Sequence, residues 1–101
     1  MKKIINGKLY NTETATELGT YWNGYPQGDF SYVSETLYVK KTGEYFLHCE
    51  GGPLTEYAKY VGRNKCFGAY IYPYAEKEAK EWAAEKLTAD EYEKLFGEVE
   101  E

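Results

Sequence analysis

Two short apolar runs flank an Asn-Gly dipeptide at the start of the chain, in Ile4-Ile5-Asn6-Gly7-Lys8-Leu9-Tyr10. Asn and Gly both tolerate the positive φ of a type I′ turn, so this pattern predicts a β-hairpin. Its register sets Ile5 opposite Lys8 and Ile4 opposite Leu9. A second, longer hairpin follows. Tyr32–Lys40 and Glu44–Glu50 each alternate, and Lys41-Thr42-Gly43 closes the turn between them. Pairing Lys40 with Glu44 sets Val39 against Tyr45, Leu37 against Leu47 and Glu35 against Cys49. On the other face it sets Tyr38 against Phe46 and Thr36 against His48. Both faces carry aromatics, so one is expected to meet helices and the other to form a half-wet aromatic surface.

Between the hairpins, residues 11–19 read as a short turn or helix, with Thr12 as its cap and Gly19 as its stop. The three threonines there suit a strand better. Residues 21–29, rich in Gly, Pro and aromatics, read as a loop. After Gly51-Gly52-Pro53, the residues Leu54, Tyr57, Ala58 and Val61 fall at i, i+3, i+4 and i+7. That spacing predicts a mid-chain helix ended by Gly62. Residues 63–68 read as a loop, and 69–72 as a further strand stopped by Pro73.

The last third is helical in pattern. Ala75, Ala79, Trp82, Ala83 and Leu87 make one apolar face over 74–87, and Glu76 stands four residues before Lys80. Thr88 with Glu91 three residues on is a capping box, with Leu87 and Tyr92 at the staple positions. Tyr92, Leu95 and Phe96 give the second helix its stripe, and Gly97 ends it. Residues 98–101 form an acidic tail expected to fray. Strands first and helices last define an α+β class: an antiparallel sheet from two hairpins and a further strand, with a mid-chain helix and two C-terminal helices on one face. At 101 residues the chain fits a single domain.

Composition narrows the function. Twelve Tyr, four Phe and two Trp supply enough apolar area to argue against disorder. No apolar run approaches the roughly 18 residues of a membrane helix, and Met1–Gly7 lacks the apolar stretch of a signal peptide. Cys49 and Cys66 fit no zinc or redox spacing, which suggests reduced thiols in a cytoplasm; a disulfide between them stays open.

The net charge of −5 argues against a direct grip on nucleic acid. It is also unevenly placed. Residues 1–70 carry 8 basic and 7 acidic side chains, whereas residues 71–101 carry 4 basic and 10 acidic ones. On the long helix, Glu78, Glu81 and Glu85 fall in one strip beside the apolar face, and Asp90, Glu91 and Glu93 continue it. Such a strip is either a solvated face or a surface that occupies a basic groove built for phosphates. Tyr21, Trp22 and Tyr25 are candidate aromatic anchors for a protein partner.

Chemistry for catalysis is missing from the pattern. The one histidine, His48, neighbours Cys49, but adjacent strand residues face opposite sides. Gly51-Gly52-Pro53 lacks the Lys-Ser/Thr of a phosphate loop. No enzyme activity, metal or cofactor is expected.

Three stretches resemble small proteins of phages and conjugative elements of Gram-positive bacteria. They are residues 5–15, the pair Glu35–Tyr38 and Glu44–Gly52, and the pair Ala79–Ala83 and Tyr92–Gly97. The resemblance implies an anti-CRISPR-like or anti-restriction role by analogy. The expectation is therefore a non-enzymatic inhibitor from a mobile element, acting in the host cytoplasm. It would bind a nucleic-acid-handling defence complex such as a CRISPR effector and block the DNA groove with Glu78, Glu81, Glu85, Asp90, Glu91 and Glu93. The rivals are a single-stranded nucleic-acid-binding module using sheet aromatics, and a small self-associating adaptor.

Overall fold

The computed structural model describes residues 1–101. Strands β1 (Lys2–Ile5) and β2 (Lys8–Asn11) form the N-terminal hairpin in the expected register, Ile5 against Lys8 and Ile4 against Leu9. Asn6 at φ 51° and Gly7 at φ 76° take the left-handed positions that a type I′ turn demands.

The main sheet has four antiparallel strands in the order β3-β4-β5-β8. These are Thr16–Trp22, Val33–Val39, Tyr45–Gly51 and Gly68–Tyr74. Strands β4 and β5 pair as their alternation predicts: Val39–Tyr45, Leu37–Leu47, Glu35–Cys49, Tyr38–Phe46 and Thr36–His48. At their turn the Lys40 N–H donates to the Glu44 carbonyl over 2.8 Å.

Several expectations fail, among them the loop at 63–68, where Asn64–Cys66 is a strand, and the stop at Pro73, which lies inside β8. Residues 16–19, read as part of a turn or helix, and 21–22, read as loop, belong to edge strand β3; only 12–14 turn. Threonine and the flanking aromatics favour the pleated backbone, and Gly19 sits at a bulge in the β3–β4 ladder rather than at a helix end. Tyr21 and Trp22 thus lie on a strand, and the loop begins at Asn23. The mid-chain helix is also absent. Residues 53–57 turn, and β6 (Lys59–Val61) pairs with β7 (Asn64–Cys66) as a separate small hairpin. Val61 opposes Asn64, so Gly62-Arg63 is a two-residue turn with positive φ (61°) at Gly62 alone, the type II′ pattern. That turn signal and the β-forming Tyr60-Val61 outweigh a helical spacing of which only Tyr57 is buried.

Helices α1 (Glu76–Lys86) and α2 (Ala89–Phe96) close the chain. Ala79, Trp82 and Ala83 pack with Leu37, Leu47, Cys49 and Tyr57 on one side of the sheet, flanked by Leu87, Tyr92 and Phe96. A second, smaller core lies on the other side, where Tyr10 meets Phe46 and Ile71. Tyr38 stacks on Phe46 at 5.1 Å, and Tyr10 meets it edge-on at 5.5 Å. The N-terminal hairpin therefore covers the half of the sheet expected to be half-wet, and Phe46 is fully buried. Residues 97–101 have no regular secondary structure.

Candidate functional site

Helix α1 begins where the β8 strand ends. Ala75 is its N-cap and offers no side-chain acceptor, but Glu78 reaches back to accept the Ala75 N–H at 2.9 Å. The apolar residues Ala79, Trp82 and Ala83 turn inward, which leaves Glu78, Glu81 and Glu85 exposed on one strip. Seven residues of helix are about 10 Å long, a length over which duplex DNA carries about six phosphates. Three carboxylates over that length are a lower charge density than duplex DNA carries, and Asp90, Glu91 and Glu93 are exposed on α2.

Local ties divide these six. Glu91 accepts both the Thr88 N–H (3.1 Å) and the Thr88 hydroxyl (3.0 Å), while the Glu91 N–H donates to Thr88 Oγ1 at 3.2 Å. The capping box is thus complete, and these hydrogen bonds hold the Glu91 carboxyl below its ordinary range. Glu81 lies 3.9 Å from Lys77 and Glu85 lies 3.8 Å from Lys86. Each carboxylate of the close Glu81–Glu85 pair has its own lysine, which offsets their repulsion. Both remain well exposed, with 65% and 75% of the side chain accessible. Asp90 and Glu93 make no side-chain hydrogen bond or ion pair.

The aromatic candidates separate. Tyr21 packs against the helix-side core, with Lys86 Nζ 4.3 Å above its ring. Its neighbour Trp22 points to the opposite side of the sheet, as strand alternation requires, and is 57% exposed. The Trp22 indole N–H donates to the Tyr25 carbonyl at 2.6 Å, which joins these two as one exposed pair. Trp22 and Tyr25 therefore do not share a surface with the α1 carboxylates.

Two polar clusters escaped the sequence reading. Glu35 is buried and accepts the Tyr57 hydroxyl at 2.5 Å and the Trp82 indole N–H at 2.8 Å. Its inward position between Val33 and Leu37 was the available signal. Burial, then the bond to Glu35, raises the Tyr57 hydroxyl far above its ordinary range. Cys49 lies in the same core, and burial pushes its thiol up to about 12. His48 stands on the other face of β5, and burial lowers its pKa. Both cysteines are free thiols. In the second cluster Glu44 bridges Lys8 (2.9 Å) and Lys40 (3.3 Å), tying the N-terminal hairpin to the central turn. The Lys8 hydrogen bond is the main reason its carboxyl sits at about 2.

A third feature is the β6–β7 hairpin. Residues 59–65 are all exposed, carrying Lys59, Arg63 and Lys65, and no acidic residue occurs from 57 to 75. The largest surface cavity, about 520 Å³ between Tyr10, Tyr45 and Tyr74, holds no cluster of nucleophile and base. No group of three or more His, Cys, Asp or Glu side chains is placed to hold a metal ion. No helix is long and apolar enough to cross a membrane. No family model, curated protein or solved structure matches the chain.

Proposed function

We propose that the protein works by binding rather than by catalysis. It inhibits a nucleic-acid-handling defence complex, of the CRISPR effector kind, by laying its acidic helical face into the groove that receives DNA. The observation that carries this reading is the concentration of acidic side chains in the C-terminal third, seven of them on α1 and α2 and three in residues 98–101. Residues 71–101 hold 10 acidic and 4 basic side chains, and the rest of the chain is close to neutral. Lysines and arginines that line a DNA groove are already positioned for an array of negative charge, so a rigid helix bearing carboxylates meets them with little rearrangement. Glu81, Glu85, Asp90 and Glu93 are the contact residues. Glu78 and Glu91 contribute charge but also hold their own helix starts. Trp22 and Tyr25, on the other side of the sheet, lie outside this footprint.

The test is displacement. The folded chain is titrated into guide-loaded effectors holding a fluorescent target duplex, and anisotropy reports released DNA. Release that saturates at stoichiometric inhibitor and weakens steeply with salt is expected, because such contacts are screened over about 10 Å at 0.1 M. The variant Glu81→Gln/Glu85→Gln/Glu93→Gln should lose release. Retention of full release by that variant, or no release from any effector of a representative panel, overturns the reading.

A further inference from the structure

We infer that the β6–β7 hairpin is a contact for single-stranded nucleic acid, separate from the acidic face and independent of any inhibitory role. Tyr60 and Lys65 are cross-strand partners, so their side chains share one face of the hairpin. Lys65 Nζ lies 5.7 Å from the Tyr60 ring centroid, and Tyr60 is 66% exposed. Arg63 occupies the turn at the tip, beside the positive-φ Gly62. Lys59 is on the opposite face, paired with Cys66. One face of the hairpin therefore offers an exposed aromatic ring with Lys65 against it, and Arg63 stands in the turn at the tip, on a two-stranded ribbon separate from the main sheet.

This combination selects its ligand class. A lone cation patch would accept any polyanion, but the ring adds a stacking surface that every unpaired base can use. A duplex hides its base faces, so it can use only the cations. Tyr38 and Phe46 of the main sheet do not compete for this role, because they are stacked on each other beneath the N-terminal hairpin. The net charge of −5 opposes approach of any nucleic acid at low salt. That opposition comes from residues 71–101, whereas the hairpin itself carries Lys59, Arg63 and Lys65 and no carboxylate. With two phosphate contacts the affinity is modest, so binding is expected at reduced salt and as one element of a larger assembly.

The experiment uses the full chain and a fluorescein-labelled oligothymidylate of about 20 nucleotides, followed by anisotropy from about 20 to 200 mM salt. Arg63 and Lys65 as two phosphate contacts predict a log–log salt slope near −1.4, and Lys65→Gln should bring it to about −0.7. Tyr60→Ala should weaken binding roughly 5- to 100-fold, and Tyr60→Phe should retain it, since the ring and not the hydroxyl does the stacking. Lys41→Gln, in the central turn, should change nothing. All these side chains are exposed, except that Tyr60 keeps its contact with Lys65, so urea midpoints should match wild type and show that the fold persists. Absence of binding at about 20 mM salt overturns the inference, as does equal affinity for Tyr60→Ala and wild type, or a duplex bound as tightly as the single strand. Loss of DNA release by the Gln variants of the acidic face leaves this result unaffected, so the two readings fail separately.

Discussion

Trp82 of α1 donates its indole N–H to Glu35 of β4, 47 residues earlier in the chain, over 2.8 Å in the buried core. The second Glu35 oxygen accepts the Tyr57 hydroxyl, so one carboxylate joins the sheet, the helix layer and the segment after Gly52. Glu35→Ala leaves two buried donors without partners and should cost about 2–5 kcal/mol in urea unfolding. Glu35→Gln keeps one acceptor oxygen and should cost less. Replacing the whole set, as Glu35→Leu with Tyr57→Phe and Trp82→Phe, should cost less than the sum of the three single changes, because no unpaired group remains. Strict additivity would show that the three do not act as a unit.

Glu35 also marks the limit of what the sequence could tell. The alternation in 32–50 places it opposite Cys49 on an apolar face, and the register is as observed. Its two donors come from residues 22 and 47 positions away, which no local pattern reveals. The same division holds elsewhere. Asn6-Gly7 and Thr88-Glu91 act within a few residues, so both were legible. Tyr10 folding over Phe46 is a long-range packing event and was not. At 54–61 a helical spacing competed with the turn signal Gly62-Arg63, and a helix of two turns has too few hydrogen bonds to win without burial. The acidic strip and the capping role of Glu91 were legible from spacing, whereas the bond from the Ala75 N–H to Glu78 was not, because Ala75 offers no capping side chain to mark that helix start.

Gly7→Val places a β-branched side chain at φ 76°. The change should destabilise the N-terminal hairpin by about 1 kcal/mol or more. Because Tyr10 of that hairpin is buried on Phe46, the loss should appear in the global urea midpoint. An unchanged midpoint would mean that the hairpin and the second core unfold independently.

Glu44 predicts an acid response. Its carboxyl sits at about 2, below the ordinary 4.5, chiefly through the bond from Lys8 and then those from Lys40 and Thr42. A folded-state pKa below the unfolded one contributes stability that is present above about 4.5 and lost as pH falls toward 2. Lys8 is raised above 10.5 by the same partner, so its contribution is present below 10.5 and lost as pH rises through the raised value. Glu44→Gln should flatten the fall in melting temperature between pH 4.5 and 2 relative to wild type. High salt should blunt the difference, because the pair is exposed on the Lys8 side. Parallel curves for the two proteins would show that Glu44 does not link hairpin docking to pH.

The carboxylates of the two helices should sort by stability before any partner is added. Glu78→Lys removes the acceptor for the Ala75 N–H, and Glu91→Lys dismantles the Thr88 capping box. Each should cost about 0.3–1.5 kcal/mol, and both place a positive charge at the positive end of a helix dipole. Glu81→Gln, Glu85→Gln and Glu93→Gln remove only exposed side chains whose ion pairs, at 3.9 and 3.8 Å for the first two, contribute little. The triple Gln variant should therefore keep its melting temperature within about 4 °C, since 1 kcal/mol corresponds to about 4–8 °C in a domain of this size. This ordering makes it the correct probe of the acidic face: charge falls by three while both helix starts stay intact. Trp22→Ala, on the far side of the sheet, should leave DNA release unchanged, because one flat groove cannot reach both surfaces. A stable triple variant that loses release, beside a Trp22→Ala protein that keeps it, assigns the contact to the helices. A stable triple variant that still releases DNA makes the strip a solvated face, and Trp22 with Tyr25 then becomes the surface to alter next.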